Sequence, residues 1–246
     1  AKKAPNDHRA KDFNQNPGYL PKLLNKQKSF NVKALEINST GSDFGAVLTN
    51  DNTLYFTSSR NKSKRTDGWN DEPYLDIYKS TMNGDKTFSK PEEVVELNTR
   101  WHDGPVSISS DGNTMYFSRD SHAEKEFEKD KKLNAKFSQV YLYKATKEGN
   151  TWGNIQALPF NSKEYSNSNP SLSKDGKTLY FASNMPGTKG ASDIWKVAVN
   201  GDEYGTPENL GDKVNTAGNE SFPFISDANV LFFSSEGKQG LGGLDV

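Results

Sequence analysis

The chain has 246 residues, of which 32% are hydrophobic, 11% aromatic and 26% charged, with a net charge of −1. So polar a chain is poor material for a helical bundle, has no apolar run long enough to span a bilayer, and lacks the basic excess of a nucleic-acid binder. With no cysteine, disulfides, zinc-thiolate sites and thiol nucleophiles are excluded.

Residues 1–29 carry no repeat. Pro5 to Ala10 and Pro17 to Leu24 predict a turn, a short helix and an exit, with Pro21 suited to a first helical turn. Residues 1–37 hold eight Lys or Arg against three Asp or Glu, so the remainder is acidic. The first residues, Ala1-Lys-Lys-Ala-Pro5, are followed by no apolar run, which predicts a trimmed or mature fragment rather than a signal peptide.

Residues 30–38, Phe-Asn-Val-Lys-Ala-Leu-Glu-Ile-Asn, share an aromatic start and a closing Asn with Phe88 to Asn98. They predict a strand that closes a ring by joining the final repeat. After them one heptapeptide returns. Asp111-Gly-Asn-Thr-Met-Tyr-Phe117 recurs as Asp175 to Phe181, and with changes as Asn50 to Phe56 and Asp227 to Phe233. Each copy predicts a tight turn feeding a strand, because Asp or Asn beside Gly accepts positive φ and the residues that follow suit a half-buried pleat.

The flanks repeat too. A serine-rich strand exit and a polar loop lead to Asp76-Ile-Tyr-Lys79, Tyr141-Leu-Tyr-Lys144, Asp193-Ile-Trp-Lys196 and Asp245-Val246, and then to aromatic-led segments ending at Asn98, Asn161 and Asn215. Four short strands fit one period. The expected fold is all-β, a β-propeller of four-stranded antiparallel blades, with blades at 39–98, 99–161, 162–215 and an incomplete one at 216–246. Val246 falls within a motif, which predicts further blades beyond it.

Two loops stand out. Asn61 to Asp71 contains Trp69, either a binding anchor or a ring folded onto its own blade. Ser121 to Phe137 predicts a short surface helix, from a Ser121/Glu124 capping box, an apolar stripe of Phe127, Leu133 and Phe137, and a Glu128/Lys132 pair.

The stretch Pro170 to Asn184, Pro-Ser-Leu-Ser-Lys-Asp-Gly-Lys-Thr-Leu-Tyr-Phe-Ala-Ser-Asn, resembles the WD40-like or PD40 repeat of TolB-type propellers. Leu35 to Gly45 and the closing Gly242-Gly-Leu-Asp-Val246 look more specifically like OmpA-family envelope proteins of the Bacteroidetes, among them the outer-membrane lipoprotein associated with type IX secretion. The resemblance covers about residues 30–246. It implies a periplasmic, outer-membrane-associated scaffold whose partners are envelope or secretion-system proteins. It implies too that residues 1–29 are the tail of a tetratricopeptide-like helical region, and that peptidoglycan is bound only through an OmpA-like domain absent here.

Chemistry is scarce in the pattern. His8, His102 and His122 lack ligand spacing, no Ser lies in Gly-x-Ser-x-Gly, and no phosphate loop is present, so no catalytic, cofactor or metal residue is expected. Asp76, Asp193 and Asp245 recur at one repeat position; the choice is a carboxylate or calcium ring or, favoured by the repetition, caps on the preceding turn. Asp43, Asp103 and Glu220 are the better candidates for polar ligand contact. An enzyme or a lectin-like glycan binder using Trp69 or Trp101, with active groups outside these residues, is the alternative to a non-catalytic scaffold.

Overall fold

The computed structural model describes residues 8–25, 31–61, 66–68, 70–132, 135–238, 240 and 243–246. Two short helices come first, α1 (His8–Gln15) and α2 (Tyr19–Leu24). Pro21 lies in the first turn of α2, where a missing N–H leaves no intrahelical bond unmade.

Four antiparallel blade sheets follow among the described residues, in each of which the heptapeptide turn joins the first strand to the second. The first runs β1 (Asp43–Leu48), β2 (Thr53–Ser58), β3 (Asp76–Thr81), β4 (Glu92–Glu93), paired in that order. The second holds β5 (Asp103–Ile108) and β6 (Thr114–Asp120), then, past a side hairpin of β7 (Glu128–Asp130) and β8 (Ala135–Phe137), β9 (Val140–Glu148) and β10 (Thr151–Ala157). The third pairs β11 (Asn167–Leu172), β12 (Thr178–Ser183) and β13 (Asp193–Asn200), with β14 (Glu203–Tyr204) and β15 (Glu208–Asn209) both on β13. The fourth is β16 (Glu220–Ile225) and β17 (Leu231–Ser235), with Ser235 bridged to Asp245. The fold is a β-propeller.

Strand alternation explains why the blades need one another. Successive side chains point to opposite faces, so Tyr55, Tyr116 and Tyr180 sit on one face of their blades and their neighbours on the other. Tyr55, Ile77 and Leu97 of the first blade meet Met115, Phe117 and Tyr143 of the second in one cluster. Tyr116 and Leu142 of the second meet Leu179, Phe181 and Trp195 of the third in the next. Each sheet alone would leave both faces wet; the stack removes Tyr116, Phe117 and Phe181 from solvent almost completely.

Two expectations need correction. Ser121–Glu124 is a single 3-10 turn and the chain then forms the β7/β8 hairpin, so no α-helix covers 121–137. Ser121 is not the cap: Asp120 accepts the His122 N–H, while the Ser121 hydroxyl donates to Glu126 O. Lys125, at φ 62, ends the turn in the left-handed region. Leu133 lies outside the described residues. The strand expected over 30–38 is also not formed in 31–38, where Asn38 N–H turns back onto Leu35 O, the same turn that Asn161 N–H makes onto Leu158 O at the end of the second blade.

Candidate functional site

The first strand of every blade, β1, β5, β11 and β16, lines the propeller axis, and each breaks its register at the same point. The bulge residues are Gly45 (φ 63), Asn169 (φ 54) and Phe222 (φ 49). In the second blade that place is held by Pro105, whose ring forbids positive φ; Gly104 takes φ 99 instead, before a cis Gly104–Pro105 bond. Only glycine fits there, since a Cβ on Gly104 would lie 2.3 Å from Thr57 Oγ1. Without an N–H at Pro105, the buried Thr57 hydroxyl finds no partner, whereas its counterpart Ser118 accepts Asn169 N–H at 3.0 Å.

These bulges push side chains into a cleft of ≈ 390 Å³ walled by Pro105, Ile108, Pro170, Leu172, Phe222 and Phe224. Phe222 reaches across to Phe44, with ring centroids 6.0 Å apart and planes at 89°. Phe222 and Phe224 remain 40% and 58% exposed. At one mouth the cleft runs into a polar collar made by the heptapeptide turns. The turns are tied in sequence: Asn50 Nδ2 donates to Ser110 O, Ser110 Oγ to Lys174 O, and Lys174 Nζ to Asp227 Oδ2. Hydroxyls of Thr49, Ser109 and Ser173, with backbone N–H groups two residues on, hold the carboxyls of Asp51, Asp111 and Asp175 below the usual range. The surface offers an apolar floor inside an ionised rim.

Asp43, Asp103 and Glu220 are turned inward as latches rather than toward that surface. Each accepts the N–H and hydroxyl of a Ser or Thr four residues earlier: Ser39, Thr99 and Thr216. Each also holds the end of its second strand. Ser58 and Ser235 hydroxyls do this for Asp43 and Glu220, and Arg119 Nε, 2.6 Å away, for Asp103. Arg119 also donates to Leu97 O in the first blade and lies over the rings of Phe117 and Tyr143.

Asp193 accepts from Lys189 N and Gly190 N, capping the preceding turn, while Asp76 accepts from Asn61 Nδ2. They sit in separate blades on separate partners. Burial pushes the Asp76 carboxyl up from 3.8 to about 6, against the pull of Asn61. Its folded value lies above the unfolded one, so the folded state binds the extra proton between pH 3.8 and about 6 and loses stability as pH rises through that window. Asp76→Asn is therefore expected to flatten the pH dependence of urea unfolding there; a profile unchanged from that of the parent chain would contradict the assignment.

His102 Nδ1 accepts Leu75 N–H, which leaves Nε2 to donate to Asp67 Oδ2 at 3.0 Å. His122 stacks on Trp101 at 4.3 Å, with the Arg100 guanidinium also over that ring at 5.0 Å. Trp101 is thus half-buried and engaged within the chain. The backbone of His8 starts α1, its side chain and Trp69 lie outside the described residues, and among the described residues no group of three or more His, Cys, Asp or Glu is placed to hold a metal ion. The Phe44–Phe222 contact was not foreseen from the sequence; the repeated Gly, Pro and Asn within the first strands were the signal that could have pointed to it.

No protein-family model matches the chain, and no curated protein matches it in sequence. Among solved structures it is similar to TolB from Acinetobacter baumannii, at 15% identity and a TM-score of 0.49, over 84% of this chain and 40% of that one. It is similar also to a thermostable family-43 glycoside hydrolase (13%, 0.47, 77% and 63%). A puromycin-hydrolyzing peptidase of Mycobacterium tuberculosis follows (13%, 0.44, 72% and 23%). The chain spans less than two thirds of the length of each. Among the described residues no helix is long and apolar enough to cross a membrane.

Proposed function

We propose that this chain is a non-catalytic protein-interaction propeller of the Gram-negative cell envelope. It would be the propeller region of an OmpA-family, outer-membrane-associated protein of the Bacteroidetes, with envelope or secretion-system proteins, those of type IX secretion included, as its partners. The sequence around Leu35 to Gly45 and at Gly242 to Val246 supports the envelope family, and α1 and α2 suit the tail of a preceding helical region.

The observation that carries the interaction reading is the axial cleft, where exposed Phe222 and Phe224 stand among prolines inside a rim of carboxylates. An apolar floor with a charged frame is what a protein segment buries well, with the floor supplying affinity and the rim orientation. Phe222→Gly tests it, because glycine keeps the positive φ while removing the ring. From a Bacteroidetes envelope extract, the parent chain should recover outer-membrane or secretion proteins and the variant should lose most of that recovery at an unchanged melting temperature. Equal recovery by both, or no envelope protein with either, would count against the reading.

A further inference from the structure

We infer that His102 is a pH-operated clasp between the first two blades: as the neutral ring it holds the loop ahead of β3 at two points, and on protonation it lets go of Leu75. The two points lie well apart along that loop. Nδ1 accepts the N–H of Leu75, the residue just before β3, at 3.1 Å, and Nε2 meets Asp67 Oδ2 at 3.0 Å. A backbone N–H can only donate, so Nδ1 is bare and the ring proton sits on Nε2. The Tyr74 ring leans on the imidazole, with centroids 4.6 Å apart.

The next blade boundary has the same bond without the histidine. Val140 starts β9 one residue ahead of Tyr141, as Leu75 stands one residue ahead of Asp76, and its N–H is accepted at 3.0 Å by the hydroxyl of Ser166, which precedes β11 as His102 precedes β5. Histidine is the side chain whose charge changes between about pH 5 and 8, a range in which a serine hydroxyl keeps its lone pairs. The second proton of the imidazole goes onto Nδ1, where it faces the Leu75 N–H donor to donor, so that bond is lost. The other contact gains, because an imidazolium bonds a carboxylate more strongly than a neutral ring does. Protonation therefore shifts the hold of the ring from Leu75 to Asp67.

Other charges around the ring have their own partners. Asp103, the next residue, is paired with Arg119 at 2.6 Å, and Asp76, one past Leu75, accepts from Asn61. On the Trp101 side the Arg100 guanidinium lies over the indole, and His122 stacks on it while its Nδ1 is bonded to Asp120 Oδ1 at 2.9 Å. Asp67 is the carboxylate that meets His102 directly. The two side chains are 25% and 31% exposed, so the ring can exchange protons with solvent. The bond from Asp103 N–H to Leu75 O does not depend on the charge of the ring, so the blades stay joined while the clasp opens.

Amide exchange followed by NMR on the whole chain tests this, with Leu75 as reporter and Val140 as internal reference. From pH 8 to pH 5, after correction for the intrinsic pH dependence of exchange, Leu75 protection should fall about tenfold while Val140 protection holds. The imidazole nitrogen signals of His102 should pass from the Nε2–H tautomer to the doubly protonated ring over the same range. His102→Asn places Oδ1 where Nδ1 stands, an acceptor that does not titrate, so its Leu75 protection should not change with pH. Constant Leu75 protection in the parent chain, an equal fall at Val140, the same fall in His102→Asn, or a ring still neutral at pH 5 would each overturn the inference. Should the variant not fold, the comparison of Leu75 with Val140 in the parent chain decides by itself.

Discussion

Replacing Arg119 with methionine is expected to cost about 3–5 kcal/mol of folding stability, the range for removing one partner of a buried ion pair. Arg119 and Asp103 are only 8% and 0% exposed at their side chains, and the guanidinium also serves Leu97 O across the blade boundary. Methionine can replace the stem that covers Phe117 and Tyr143. It leaves Asp103 with the N–H and hydroxyl of Thr99 alone, in a site where burial already pushes its carboxyl up against the pull of Arg119. The loss should therefore shrink as pH falls and Asp103 takes up a proton, since the folded variant then binds more protons than the unfolded one. Urea unfolding at several pH values measures both; a loss under about 1 kcal/mol at neutral pH would mean that the pair is a surface-type contact.

The second large effect belongs to Phe117→Ala, expected at about 3–5 kcal/mol from lost transfer energy and the cavity left behind. Phe117 is fully buried, stacks on Tyr143 at 5.6 Å, and fills the seam between the first two blades. Phe232 holds in the fourth copy the place of Tyr116, which the third blade covers to 1% exposure, yet Phe232 is 48% exposed. Phe232→Ala should therefore stay within about 1 kcal/mol. Comparable losses from the two substitutions would contradict the stacking account, because one ring is covered by a neighbouring blade and the other is not.

Most of the blade architecture was legible because turn chemistry and strand alternation are local. Asp-Gly turns and the Thr-Leu-Tyr-Phe pattern need no knowledge of distant residues. What the sequence hid was long-range geometry. The closing asparagines were visible as period marks, but their grip on Ile77, Leu142 and Ile194 depends on strands about twenty residues earlier. The Ser121 to Phe137 insertion misled because a capping-box spelling was present while the Ser121 hydroxyl served Glu126 O instead. Asp43, Asp103 and Glu220 looked like ligand contacts because they stand at blade entries, near the channel mouth. Here the serine and arginine at the end of the adjoining strand take their oxygens.

Convergence of the first strands on one axis can be measured in solution. The chain has no cysteine, so Phe44→Cys with Phe222→Cys gives a thiol pair without background. A bifunctional bimane reagent fluoresces only on bridging two nearby thiols. Strong fluorescence is expected from the folded double variant and none from either single variant, since the Phe44 and Phe222 side chains meet across the axis. Two freely reactive thiols that the reagent never bridges in the folded chain would contradict it.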